Sequence, residues 1–280
     1  MTIKNELEQS GVRDIHQDAP PQKSLLDFVS PTDFVELPSK GIFYPEGHAL
    51  HNKEVVEIKY MTAKEEDILT SDTLLKKGLA IERFLESVIL DKSISPEGLL
   101  IGDRNAILIA ARISGYGESY DTKMQCPSCQ AQNEISFNVS NAEVHHPEVE
   151  GLDTIEKNEK GNYMFLLPVC GFKVECRLLT GKDENNLTEL ARSKKKNRLE
   201  DAIVTDQFKT MILSIDGVSD RSVLNNFIDV MPAADARSLR KAYQLITPNV
   251  KIKDEFSCTS CGYTQELEVP FGADFFWPDR

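Results

Sequence analysis

Apolar positions along the chain recur at two spacings. "EVVEIKYMT" (Glu54 to Thr62) alternates and predicts a strand. The pair Thr62 and Glu65 has capping-box spacing and predicts a helix start. Leu79, Ile81, Phe84, Leu85, Val88 and Ile89, within "LLKKGLAIERFLESVILDK" (Leu74 to Lys92), mostly share one helical face. "DRNAILIAARIS" predicts another helix, with Asp103 as its N-cap and Gly115 closing it. "NEISFNV" then alternates as a strand.

The order then starts again. "GFKVECRLLT" (Gly171 to Thr180) reads as a strand, "LTGKDENNL" mirrors "MTAKEEDIL", and "FKTMIL" mirrors "FLESVI". Asp235 opens "DARSLRKAYQLI" as Asp103 opens its helix, and the interval between these aspartates equals that between Cys126 and Cys258. The expectation is an internal duplication. The fold class predicted is α+β and helix-rich, with two similar halves joined by a zinc-ribbon-like four-cysteine module. Its predicted parts are a flexible N-terminal arm (1–33), a first half with one knuckle (34–140), a polar bridge (141–160), a second half with the other knuckle (161–270) and an aromatic C-terminal tail (271–280).

The knuckles are "CPSC" and "CTSC". A Cys-x-x-Cys turn supplies two corners of a tetrahedron, and structural zinc takes four soft ligands. One Zn2+ on Cys126, Cys129, Cys258 and Cys261 satisfies both pairs. Pro127 and Gly262 suit tight knuckle geometry, and the strands after the knuckles are expected to pair as in a zinc ribbon. Four sulfurs leave no open coordination position, so such a metal is structural. Three rivals stand beside this reading. A redox Cys-x-x-Cys lacks a parallel α/β setting, and disulfides do not suit a cytosolic chain. Two separate zincs would have to recruit His145 and His146, or Cys170 and Cys176, at poor spacing. Cys170 and Cys176 read as small buried hydrophobes on one face of a strand. The five histidines (His16, His48, His51, His145 and His146) read mostly as surface residues.

Charge narrows the function classes. A net charge of −13 disfavours a phosphate-tracking surface. The one dense basic run, "SKKKNR" (Ser193 to Arg198), reads as a solvated helix end or loop. The N-terminal stretch has no apolar core of a secretory signal, and no run is long and apolar enough to span a membrane, which predicts a cytosolic chain. There is no phosphate-binding glycine loop, nucleophile elbow or His-Glu-x-x-His, so no enzyme is predicted. "PFGADFFWPDR" concentrates Phe271, Phe275, Phe276 and Trp277 at the C-terminus, for burial in the chain's own core or against a partner.

"LPSKGIFYP" (Leu37 to Pro45), "MTAKEEDIL", "GDRNAILIAARISGYG" (Gly102 to Gly117), "CPSC" and "FFWP", in that order, resemble the T4-like phage baseplate proteins involved in assembly of the central hub. The resemblance implies a non-enzymatic structural or assembly role. It places the chain in the host bacterial cytoplasm during assembly, or in the virion baseplate. Implied partners are other baseplate and hub proteins; the charge and the lack of a long apolar run predict no nucleic acid and no membrane. Phe275, Phe276, Trp277, Leu37 and Tyr44 are the expected partner contacts. The alternative class is a zinc-ribbon protein acting on nucleic acid or in transcription.

Overall fold

Alternation in "TDFVE" and "VVEIK" becomes an antiparallel pair, β1 (Thr32–Glu36) and β2 (Val55–Lys59), with Val35 opposite Val56 on the buried side. The computed structural model describes residues 30–147, 155–158, 161–200, 202–269 and 275–276. The predicted arm lies outside them except for residues 30–33. Between β1 and β2 the chain turns repeatedly, burying Leu37, Tyr44 and Leu50. Gly41 sits at φ +71°, and a Cβ there would lie 2.4 Å from the backbone nitrogen of Lys53. Only glycine fits that turn.

The capping box forms as the sequence predicts: Thr62 and Glu65 open α1 (Ala63–Thr70). The stretch from Leu74 to Lys92 holds two helices, and the expected apolar face falls on the second. Gly78 adopts a left-handed conformation and ends α2 (Asp72–Lys77), and α3 (Ala80–Val88) starts afresh, burying Phe84, Leu85 and Val88. The long apolar run forms α4 (Ile101–Tyr116). Asp103 does not cap it. It lies inside the first turn, fully buried, and its carboxylate accepts from the Ser39 N–H and hydroxyl and from the Tyr44 hydroxyl. The hairpin β3 (Ser119–Gln125) and β4 (Gln132–Asn138) follows, then β5 (Glu143–His145).

The chain continues with β6 (Ile155–Lys157), β7 (Tyr163–Leu166), β8 (Lys173–Cys176), α5 (Gly181–Lys196), α6 (Ile203–Met211) and β9 (Ile212–Ile215). Strands β6 to β9 form one antiparallel sheet in sequence order. Helices α7 (Arg221–Val230) and α8 (Ala233–Ile246) pack on it, and β10 (Asn249–Lys251) returns to pair with β5. The hairpin β11 (Lys253–Ser257) and β12 (Thr264–Glu268) ends the regular structure.

This architecture corrects the predicted fold class. Eight α-helices share the described residues with twelve strands in five small antiparallel sheets, so the protein is not helix-rich. Several strands are only three or four residues long, too short for a period of two to declare itself. The two predicted halves differ in their sheets. The first part has a two-stranded sheet where the second has four strands, and β5, inside the predicted polar bridge, pairs with β10. Particular devices recur all the same. Asp235, also fully buried, accepts from the N–H groups of Val169 and Cys170 much as Asp103 does from Ser39. Each pinned loop begins Leu-Pro and ends at glycine, Leu37 to Gly41 and Leu167 to Gly171.

Two apolar clusters form the core. One gathers β1, β2, α1, α3, α4 and the β3–β4 hairpin, and the other gathers the four-stranded sheet with α6, α7 and α8. Phe43 and Leu178 pack against both. The seam is also tied by backbone: the Gly181 N–H donates to the Leu99 carbonyl at 2.9 Å, and Arg104 pairs with Glu184 across it.

Candidate metal centre

Each Cys-x-x-Cys turn sits at the tip of a hairpin, joining the strand before it to the strand after it. In the first hairpin, Tyr120 faces Phe137, Thr122 faces Ile135 and Met124 faces Asn133 on the inward side, so the register places Cys126 one residue past the end of β3. The Cys126 N–H donates to the Ala131 carbonyl, and the Gln130 N–H returns to the Cys126 carbonyl, both at 2.9 Å. The second tip repeats these bonds: Cys258 N–H to Tyr263 carbonyl, and Gly262 N–H to Cys258 carbonyl. The fourth residue after the first cysteine is left-handed in both, Gly262 at φ +70° and Gln130 at φ +61°. The expected tightness at Gly262 is present, and Gln130 adopts the same conformation with a side chain attached.

The two tips meet. The sulfurs of Cys126, Cys129, Cys258 and Cys261 all lie within 4.8 Å of one another. Cys126 Sγ is 3.7 Å from Cys261 Sγ, and Cys129 Sγ is 3.7 Å from Cys258 Sγ. A disulfide would bring sulfurs to about 2.0 Å. A tetrahedral ion with metal–sulfur distances of about 2.3 Å has edges of about 3.8 Å, and the four sulfurs fit that shape. Cys126 and Cys258 are buried with Phe256, while Cys129 and Cys261 face outward.

Protonation of the cluster is uneven. Burial disfavours a charge on Cys258, but N–H groups of Cys261 and Ser260 and the neighbouring thiols of Cys126 and Cys129 hold its thiolate, and its pKa falls to about 6. Cys129 is pushed up to about 12: the Ala131 backbone favours its thiolate, but hydrogen bonding with Cys261, burial, and hydrogen bonding with Cys258 and Cys126 outweigh it. Four thiols this close cannot all ionise without a compensating cation.

Asn133 is the site residue that sequence reasoning missed. It is buried in β4, and its amide nitrogen donates to the Ala131 carbonyl at 2.9 Å and to Cys258 Sγ at 3.6 Å. Its oxygen accepts from the N–H and hydroxyl of Thr259, each at 3.0 Å. It thus fastens one knuckle to the other and orients a sulfur from outside the ligand set. The only trace in the sequence is a polar residue at an inward position of an alternating strand.

The rival ligands lie elsewhere. His145 bonds the Leu245 carbonyl and His146 the Pro38 carbonyl. Cys176 is fully buried in the second core, where burial pushes its thiol up, and Cys170 sits in a turn outside β8, beside Asp235. His48 is more than a surface residue: its ring stacks on Tyr44 with centroids 4.5 Å apart, and burial lowers its pKa.

Four of the five expected partner contacts are in the core. Phe275 and Phe276 are 1% and 2% exposed, against Tyr120 and Phe84. Leu37 and Tyr44 are buried as well. Large aromatic area at these positions satisfies the chain itself, so these four residues present no outward surface. Trp277 and Phe271 lie outside the described residues.

Residues 34–277 match the family model described as T4 bacteriophage base plate protein. The chain belongs to that family. No curated protein and no solved structure matches it. The match runs through both knuckles of this baseplate protein and covers most of the chain. Among its described residues, no helix is long and apolar enough to cross a membrane.

Proposed function

We propose that this baseplate protein is a non-enzymatic structural or assembly component of the central hub, acting through contacts with other baseplate proteins. In this reading Cys126, Cys129, Cys258 and Cys261 hold one structural Zn2+. The family match over residues 34–277 carries the functional part, and the sulfur cluster supports the metal part. A closed four-sulfur set offers no position to a substrate, in keeping with a scaffold rather than a catalyst. The hairpin strands carry Asp121, Glu134, Asp254, Glu255, Glu266 and Glu268 against Lys123 and Lys253, a net negative surface that repels phosphates and speaks against a nucleic-acid ribbon. The chain would work in the host cytoplasm during assembly or remain in the virion baseplate.

Quantitative mass spectrometry of purified virions and of isolated baseplate intermediates tests the role. The chain is expected at fixed stoichiometry with hub proteins in at least one of them, and its absence from both refutes the proposal. Elemental analysis of the reduced, folded chain is expected to give one zinc per molecule. Iron in its place would redden the protein and correct the metal alone.

A further inference from the structure

A groove among the described residues of this acidic protein has more cations than carboxylates in its lining. It has a volume of about 610 Å³ and is lined by residues of β2, α1, α2, α3 and the segment just after α3. Ile68, Leu74 and Leu90 supply its apolar floor, and Leu90 is 39% exposed. Lys59, Lys64, Arg83 and Lys92 rim it, against one lining carboxylate, Glu86.

These cations differ in what already holds them. Lys59 pairs with buried Glu65 at 2.7 Å, and Arg83 with Glu86 at 2.8 Å. Lys92 donates to the carbonyls of Glu86 and Ile89 at the end of α3, so no carboxylate neutralises it there. Lys64 has no carboxylate partner among the described residues. The groove therefore keeps positive charge on a chain of net charge −13.

Its walls also limit the form of an occupant. The outer edge of β2 is closed, because Ile58 bridges Ile89 and the Leu90 N–H donates to the Glu57 carbonyl at 3.2 Å. No strand edge is offered there, so an added strand would find no ladder. An aliphatic floor between helices takes the apolar stripe of another helix. A cationic rim favours acids flanking that stripe. Three aliphatic floor residues are a poor seat for a phosphate backbone.

We propose that this groove docks an acidic amphipathic helix of another baseplate protein. The inference rests on the reading of the chain as acting through protein contacts, and it fails separately from it. The test titrates the full-length, zinc-loaded chain into a fluorescein-labelled helical peptide of about 18 residues, with leucines at helical spacing and flanking glutamates. A second peptide replaces every glutamate by lysine. The expected result is saturable binding of the acidic peptide only, weakened by salt and by about tenfold or more in the Lys64→Glu, Arg83→Glu double variant. Both substituted positions are exposed on helices, and an unchanged melting curve confirms that the variant folds. Leu90→Ala is expected to weaken the same peptide without altering the salt slope. The proposal is overturned if the acidic peptide does not bind, or if it binds the double variant equally. It is also overturned if a single-stranded oligonucleotide displaces the peptide from the wild-type chain but not from the variant, which would assign the groove to nucleic acid. If the peptide fails while virions or baseplate intermediates contain the chain, only the groove assignment falls.

Discussion

Glu65 shows how one enclosed carboxylate can serve both as a cap and as an anchor. Burial would raise its pKa, but hydrogen bonds from Lys59, Ser87 and Thr62 outweigh that and bring it to about 2. A folded pKa below the unfolded one contributes stability above the ordinary glutamate range and loses it as pH falls. The window runs from about 4.5 down to about 2. Glu65→Gln is expected to cost about 1–3 kcal/mol at pH 7 and to flatten the acid limb across that window, measured by urea unfolding against pH. An unchanged acid limb would remove Glu65 as its source. Asp103 has the opposite sign. Its burial raises its pKa despite bonds from Ser39 and Tyr44, so the contribution from its titration is greatest in acid and falls as pH rises through the folded value. The capping role of Glu65 was legible because its partner is three residues away. The Asp103 partners were not, since Ser39 is 64 residues away.

At the scale of elements, α4 is the centre of the first core, and two of its residues do work that its apolar pattern hides. Gly102 lies against the loop before β10, and a Cβ there would sit 2.1 Å from the Pro248 carbonyl oxygen. Backbone faces backbone, so neither side can rotate away. Gly102→Ala is expected to cost about 1–3 kcal/mol or more by chemical denaturation, although alanine favours helices in isolation. Arg112 is buried, and its guanidinium donates to the carbonyls of Phe275, Gly117 and Ser119. It also lies over the rings of Tyr120 and Phe275 at 5.1 and 5.3 Å. Arg112→Met should leave three acceptors unmet, costing about 3 kcal/mol or more, and should free the C-terminal segment to limited proteolysis. Resistance equal to wild type would show that the aromatic contacts of Phe275 and Phe276 suffice. The helix itself could be read from the sequence. Its clamp could not, because Arg112 and Phe275 are 163 residues apart.

For the whole molecule, the question is how far the four-sulfur cluster reaches. Among the described residues, the apolar cluster at the cysteine tips adds Phe256, Met124, Ile135 and Leu267, and it is smaller than either main core. Their hairpins join the first core through Tyr120, Phe137 and Leu267. Cys258→Ser is therefore expected to abolish stoichiometric zinc binding and to speed hydrogen exchange in β3, β4, β11 and β12 by about a hundredfold or more, while amides of α8 keep their protection. Loss of protection throughout α8 would mean that the cluster holds the entire fold. The melting temperature should fall with the metal and recover when zinc is restored to the wild-type chain stripped by chelator.

By itself the sequence determined the parts whose physics is local: the capping box at Thr62, the apolar run of α4, the alternating strand after the first knuckle, and the spacing that brings two thiols together in one turn. Chain order and ligand count also pointed to the two knuckles sharing one site. Only the tertiary structure decided what meets what: Asn133 locking the knuckles, Arg112 holding the Phe275 carbonyl, β5 pairing with β10, and Phe275 and Phe276 turning inward. Those outcomes depend on buried polar groups finding partners far along the chain, and that requirement leaves no periodic mark in the sequence.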